Sequence, residues 1–359
     1  MIKKDKLNKI ILLYLVYSFG LIIVISSQFI LPEKYFIDSN TIKEYFHILD
    51  GFKFNNTDGF YNTALFYKYI GLSIIDNRIF QGIIIYNIYS LLLFYVIKHT
   101  NFHSNIMIII LMFAWSSVSA IYLGQLTKEL IPLILLTFFV INMHKNNKSK
   151  IITSFILLVL YAYFFRVYWF IILYFSLVIF MYLNTKFNIH IKRVLLLIAL
   201  SVVFIASSIN DIYLTHERTR VNNLLDSNTM INNPFVNSSV FTDILNWLIV
   251  WVQLLLPFNV ITNSPIHVLF FLLNIFSIFL LLKFYNVQKN NNTLSIKWSF
   301  SFIVGFSLTQ GIFEPDYGSY LKHLIVILPM YFYIVLVKLW PVLHSAKNGR
   351  LKNEGITCG

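Results

Sequence analysis

The sequence predicts an all-α, polytopic transmembrane helix bundle of about ten spans. Three observations predict it. The 359 residues are 58% hydrophobic and only 12% charged, with mean hydropathy +0.71, more apolar surface than a soluble domain of this size can bury. Apolar runs of spanning length recur along the whole chain. The charges between them are sorted, with basic clusters in one set of gaps and the acidic residues in the other.

A helix needs about 20 apolar residues to cross the hydrocarbon layer. Runs that meet or approach this length cover 10–31, 79–97, 106–123, 194–210, 266–283, 298–313 and 320–340. The run 130–143 is shorter, and its helix is expected to begin earlier, near Gln125. The run 151–184 is too long for one helix and carries Arg166 near its centre, so it divides into two antiparallel helices over 151–165 and 168–184. The segment Asp243-Ile-Leu-Asn-Trp-Leu-Ile-Val-Trp-Val-Gln-Leu-Leu-Leu-Pro257 is Trp-rich and broken by proline. It is read, over 243–261, as a re-entrant or interfacial segment rather than a span.

With the N-terminus in the cytoplasm, ten spans put both termini inside. Eighteen of the 28 Lys and Arg then lie inside, with only two of the 15 acids, Asp5 and Glu354. If 243–261 crossed, the basic stretch Lys283 to Lys297 and the basic tail would move outside, which the positive-inside rule disfavours. The basic start followed by an apolar run mimics a signal peptide. No small-residue cleavage site follows, so it reads as an uncleaved first span. The net charge of +13 is explained by this sorting and by anionic lipid, and no nucleic-acid partner is expected. The single cysteine, Cys358, excludes a disulfide within the chain. The whole of 1–359 is expected to be one integral membrane domain with substantial external loops over 32–78 and 211–242.

Charges on the outer side are the candidates for chemistry. Arg166, in Tyr161-Ala-Tyr-Phe-Phe-Arg166-Val-Tyr168-Trp169, joins two short helices and should be recessed. It either grips a phosphate through its planar guanidinium or snorkels among interfacial aromatics. Lys128 and Glu129, in Gly124-Gln-Leu-Thr-Lys128-Glu129, lie at the lip of a short span, as a local ion pair or as substrate contacts. The stretch His216-Glu217-Arg218-Thr-Arg220 is the densest external charge cluster. Read as an interfacial helix, it forms surface pairs, or offers Arg218 and Arg220 to an anionic lipid headgroup. The last constellation is Glu314-Pro-Asp316-Tyr-Gly-Ser319-Tyr-Leu-Lys322-His323. Ser319 is a candidate N-cap, which puts Lys322 and His323 in the first turn of the final helix. Cations there call for a compensating anion, either Glu314 and Asp316 or a bound diphosphate. No metal site is expected: His99 and His103 lack a third ligand, and one acid-x-acid pair is a weak signal.

These groups span the roles of a transferase acting on a lipid diphosphate: cations for the leaving group, and a carboxylate or His for the attacking hydroxyl. The chain resembles the polysaccharide repeat-unit polymerases of bacterial O-antigen and capsule pathways (Wzy-like, including the EpsG-like branch). The resemblance rests on many short spans, an enlarged late external loop, Asn56-Thr-Asp-Gly-Phe-Tyr-Asn62-Thr, Lys128-Glu129, Arg166 with Tyr168, and the Glu314-to-His323 stretch. It implies glycan polymerisation on undecaprenyl diphosphate at the outer face of the bacterial cytoplasmic (inner) membrane, without metal or cofactor. Glu314, Asp316 and His323 would supply catalysis; Arg166, Lys128, Glu129, Arg218, Arg220 and Lys322 would bind the substrate. Partners would be lipid-linked glycans, membrane lipids, a flippase and a chain-length regulator. A glycosyltransferase using a polyprenyl-phosphate sugar is the alternative, with Asp38, Asp50 or Asp58 as its carboxylate. A lipid-linked glycan flippase or transporter is a third, though the spans are nearly charge-free.

The topology is directly testable. Cys358 is expected to resist an impermeant thiol reagent in intact cells. With Cys358 replaced, a cysteine at Ser227 should label from outside and one at Asn292 should not. Labelling at position 292 would mean that 243–261 crosses.

Overall fold

The computed structural model describes residues 4–49, 51, 53–55, 58–98, 106–183, 188–194, 197–198, 201, 214–223, 229–258, 265–288 and 294–335. These residues are all-helical, with fourteen α-helices, short 3-10 turns and no β-strand. Three helices, Ile10–Ile30, Arg78–Lys98 and Tyr317–Val335, are long and apolar enough to cross a membrane, and several shorter apolar helices accompany them. Large apolar side chains such as Tyr14, Ile22, Leu91, Ile110 and Phe138 remain exposed, which suits contact with lipid. The span expected over 194–210 lies largely outside the described residues.

The helices fall into two compact units. The first draws on Met1–Arg166, Leu280–Asn292 and Leu328–Gly359. Its helices are α1 (Lys4–Ile30), α2 (Ile37–Ile48), α3 (Gly59–Tyr69), α4 (Arg78–Lys98), α5 (Ile106–Leu123), α6 (Leu130–His144), α7 (Lys148–Phe164) and, near the chain's end, the short α14 (Leu328–Phe332). Helix α1 packs against α4 and α5, α6 against α4 and α7, and α14 against α4 and α6. The segment 32–78 is itself helical. Asp58 starts α3 by accepting from the backbone N–H groups of Phe60 and Tyr61, as an N-cap should.

Helix α6 begins at Leu130, not near Gln125. The Tyr67 hydroxyl donates to the Thr127 carbonyl at 2.6 Å and accepts from the Thr127 N–H at 3.2 Å. Those backbone groups are satisfied outside any helix, so the approach to α6 stays a turn. The split of 151–184 is as expected, with α7 ending at Phe164 and α8 (Trp169–Leu183) following after a short turn.

The second unit draws on Val167–Phe279 and Thr293–Ile327. It holds α8, α9 (His216–Asn222), α10 (Val240–Leu255), α12 (Leu294–Phe313) and α13 (Tyr317–Leu324), while α11 (Pro265–Gln288) enters it with its first part. Helices α8 and α12 make the most extensive contact. A Cβ on Gly305 would stand 2.6 Å from Ser176 Oγ and 2.7 Å from its backbone nitrogen, so only glycine permits this approach. Phe180 and Trp298 stack beside it at 4.1 Å.

The segment 243–261 is helical from Val240, where Ser239 and Thr242 form a capping box. Two indoles fix α10 to α12: Trp247 Nε1 donates to the Leu308 carbonyl and Trp251 Nε1 to Ser307 Oγ, each at 2.8 Å. The opposite face exposes Phe241, Leu248 and Val252. The N-cap of the last expected span is Asp316, not Ser319: its carboxylate accepts from the N–H groups of Gly318 and Ser319 at 2.8 and 3.0 Å. Lys322 and His323 therefore fall in the last turn of α13 rather than the first. Residues 336–340 of that span lie outside the described residues.

Gly305→Ala is expected to lower the apparent melting temperature of the detergent-solubilised protein, since overpacking costs roughly 1–3 kcal/mol. Phe138→Ala, on an exposed side chain, should change it little. Equal melting for the two variants would mean that α8 and α12 do not touch so closely.

Candidate functional site

In the first unit a buried charge pair forms where three connections converge. Glu129, fully buried, immediately precedes α6. Its Oε1 accepts from Arg166 Nη2 at 2.6 Å, with the arginine side chain only 10% exposed. The Thr127 hydroxyl donates to the other carboxylate oxygen. The α7–α8 turn that carries Arg166 is clamped by α3. Asn62 donates its amide to the Phe164 carbonyl, and a Cβ on Gly59 would lie 2.2 Å from the Phe165 carbonyl oxygen. Lys128 points elsewhere, with Nζ 3.2 Å from the centroid of the Phe60 ring, a cation–π contact. Glu129 is thus paired with Arg166, 37 residues away.

In the second unit the C-terminal end of α12 carries Glu314, 1% exposed. Its Oε2 lies 2.9 Å from His323 Nδ1 on α13. A carboxylate at a helix C-terminus opposes the helix dipole, so it needs positive charge nearby. Arg218 from α9 supplies part of it. This side chain is completely buried, with Nη1 donating to the Gly311 carbonyl at 2.7 Å and Nε to Asn233 Oδ1 at 3.0 Å. It thereby satisfies one of the carbonyls that α12 leaves open at its end. Burial pushes the Arg218 guanidinium down to about 10, while the charges of Asp243 and Glu314 pull it back up. Among the described residues, Arg218 Nη2 and Glu314 Oε1 make no hydrogen bond.

The loop before α13 is sewn to the external segment. Ile231 N–H donates to the Pro315 carbonyl at 2.8 Å and Tyr317 N–H to the Thr229 carbonyl at 3.2 Å, around an isolated bridge between Met230 and Asp316. Asp243 on α10 fastens the entry to α9, accepting from the N–H groups of Leu214 and Thr215 at 2.6 and 3.1 Å and from the Thr215 hydroxyl at 2.6 Å. Burial raises the Asp316 carboxyl above its ordinary range, with its two backbone donors pulling it back.

The residues singled out from sequence therefore have distinct surroundings. Glu129 pairs with Arg166, and Glu314 with His323, with Lys322 in the same turn. Asp316 is bound as an N-cap, a structural task. Arg218 is an internal tie rather than a surface cation. Arg220 pairs with Glu217 at 2.8 Å with both side chains more than half exposed, the weak surface arrangement. Sequence reasoning missed Thr127, Asp243 and Asn246 as site residues and named Asn62 only within the motif of the resemblance; all four are buried. A signal existed for Asp243 and Asn246, polar residues three apart inside an otherwise apolar, Trp-rich helix.

Comparison with protein-family models, curated proteins and solved structures returns no match.

Breaking a buried pair by removing one partner costs roughly 3–5 kcal/mol. Glu129→Ala should therefore sharply lower the yield of folded protein in a fluorescence-detected gel filtration assay. The double variant Glu129→Ala/Arg166→Met, which leaves no orphan charge, should recover most of it. Normal yield from Glu129→Ala alone would contradict a buried pair.

Proposed function

We propose that this chain polymerises undecaprenyl-diphosphate-linked oligosaccharide repeat units at the outer face of a bacterial cytoplasmic membrane, with ten spans and both termini inside. The observation that carries this reading is the Glu314–His323 dyad, held at 2.9 Å at the joint between two apolar helical segments. A buried carboxylate accepting from Nδ1–H fixes the imidazole tautomer and leaves Nε2 as the basic nitrogen. Such an imidazole suits the abstraction of a sugar hydroxyl proton.

In the proposed reaction a hydroxyl of a lipid-linked repeat unit attacks the anomeric carbon of the growing chain. A glycosidic C–O bond forms, the C–O bond to the diphosphate breaks, and the hydroxyl proton passes to His323. Glu314 orients the imidazole and offsets the positive charge that forms on it as it takes the proton. Lys322, the preceding residue, is proposed to offset the charge of the leaving diphosphate. Arg218 acts as a positioning residue by holding the end of α12. In the first unit, and separately from the dyad, Arg166 is proposed as a phosphate contact, with Glu129 fixing its direction. The resemblance in sequence and the apolar helices support the same reading.

Deleting the gene is expected to leave cell surfaces bearing a single repeat unit, because assembly and export of that unit do not need this step. Loss of a sugar transferase would instead remove a branch sugar or the whole polymer, and loss of a flippase would trap units on the cytoplasmic face. Glu314→Gln and His323→Ala should abolish the polymer ladder while the one-unit band persists. Arg166→Lys should lose most activity despite its charge, because the planar two-point contact is gone. A normal ladder in the deletion strain, with no second polymerase present, would overturn the reading.

A further inference from the structure

Beside α9 the second unit has an open cleft of about 530 Å³, lined by His216, Thr219, Asn232, Asn233, Phe235 and Asn237 among others. This is within the roughly 300–1,000 Å³ of small-molecule sites. Among the described residues, no Lys, Arg, Asp or Glu lines it. We propose that the cleft binds an uncharged glycan segment.

The wall of asparagines is held in place from below. Asn233 accepts from buried Arg218 Nε at 3.0 Å and donates to Thr215 Oγ1 at 3.0 Å. Asn237 donates to the same hydroxyl at 3.0 Å and accepts from Asn246 Nδ2 at 2.6 Å. Thr215 is in turn fixed by Asp243, at 2.6 Å. Asn246, fully buried on α10, also clamps the backbone of Phe235: its Oδ1 accepts from the Phe235 N–H at 2.9 Å and its Nδ2 donates to the Phe235 carbonyl at 2.8 Å. The amides therefore point in set directions, and the ordering has been done before any ligand arrives.

The unused capacity matches hydroxyl groups. Among the described residues, Asn232 Nδ2 donates to nothing and Asn237 Nδ2 has one hydrogen left, while Asn233 Oδ1 can accept once more and Thr219 Oγ1 accepts from nothing. Donors and acceptors mixed on amides and a hydroxyl suit neighbouring sugar hydroxyls, which both donate and accept, better than phosphate, which mainly accepts. Phe235 adds an apolar surface. The residue is 47% exposed, a platform for the C–H face of a pyranose. The glycan chemistry follows from the cleft alone. Naming its occupant as the sugar portion of a lipid-linked acceptor rests on the polymerase reading.

The test uses the full chain in lipid nanodiscs. The probe is repeat-unit oligosaccharide released by mild acid from the surface polysaccharide of the cell that makes this protein. Saturation-transfer NMR should show saturable binding. Phe235→Ala and Asn232→Ala, on exposed side chains that leave gel-filtration behaviour unchanged, should each weaken it about tenfold. Glu314→Gln should bind normally. Absence of binding, unchanged affinity in both cleft variants, or displacement by inorganic diphosphate would overturn the proposal. The two readings fail separately. Binding with a normal ladder in the deletion strain keeps the cleft and removes the polymerase. A lost ladder without binding does the reverse.

Discussion

A charge buried among apolar helices persists only where its counter-charge is built in beside it, and both candidate sites of this protein are organised by that constraint. Glu129 is sealed from solvent and carries Arg166 as its partner. Glu314 is equally sealed and carries His323, with Arg218 behind it. In each case the carboxylate sits at a helix end. There the backbone already leaves groups unsatisfied, and one more polar partner fits without interrupting a helix. Both buried carboxylates of these pairs thus lie at junctions rather than inside a helix.

The second unit shows how one helix links packing to chemistry. Along α12, Gly305 admits α8, Ser307 and Leu308 receive the indoles of α10, and Gly311 receives Arg218. Glu314 follows one residue beyond the end of the helix and meets His323. A shift of α12 against α8 would therefore move the dyad as well. The external segment depends on the same frame, because Arg218 and Asn246 fix the loop that lines the cleft at Asn233 and Phe235.

Much of this order was legible in the chain itself. An arginine inside a 34-residue apolar run implies a break, and the break between α7 and α8 falls there. The crowding of acid, imidazole and cation between Glu314 and His323 marked the dyad. What could not be read was any pairing over long sequence separation. Glu129 is adjacent to Lys128 but bonds to Arg166, because the fold of α3 against the α7–α8 turn decides which cation arrives. Arg218 and Arg220 look alike in sequence, yet one is fully buried and the other exposed. A helix places residues two apart on opposite sides, and only the packing of α9 on α12 selects the buried one. Ser319 and Asp316 are both competent N-caps, and the bridge from Met230 to Asp316 sets where α13 starts.

We propose that the Glu314–His323 dyad drives transfer of a growing glycan from undecaprenyl diphosphate to another lipid-linked unit. Purified protein in proteoliposomes, supplied only with lipid-linked repeat units, tests it without any cellular background. The account predicts oligomers of two or more units with release of one undecaprenyl diphosphate per new linkage, and neither product from the His323→Ala protein. Unchanged one-unit substrate with the intact protein, or equal products from the His323→Ala protein, would contradict it.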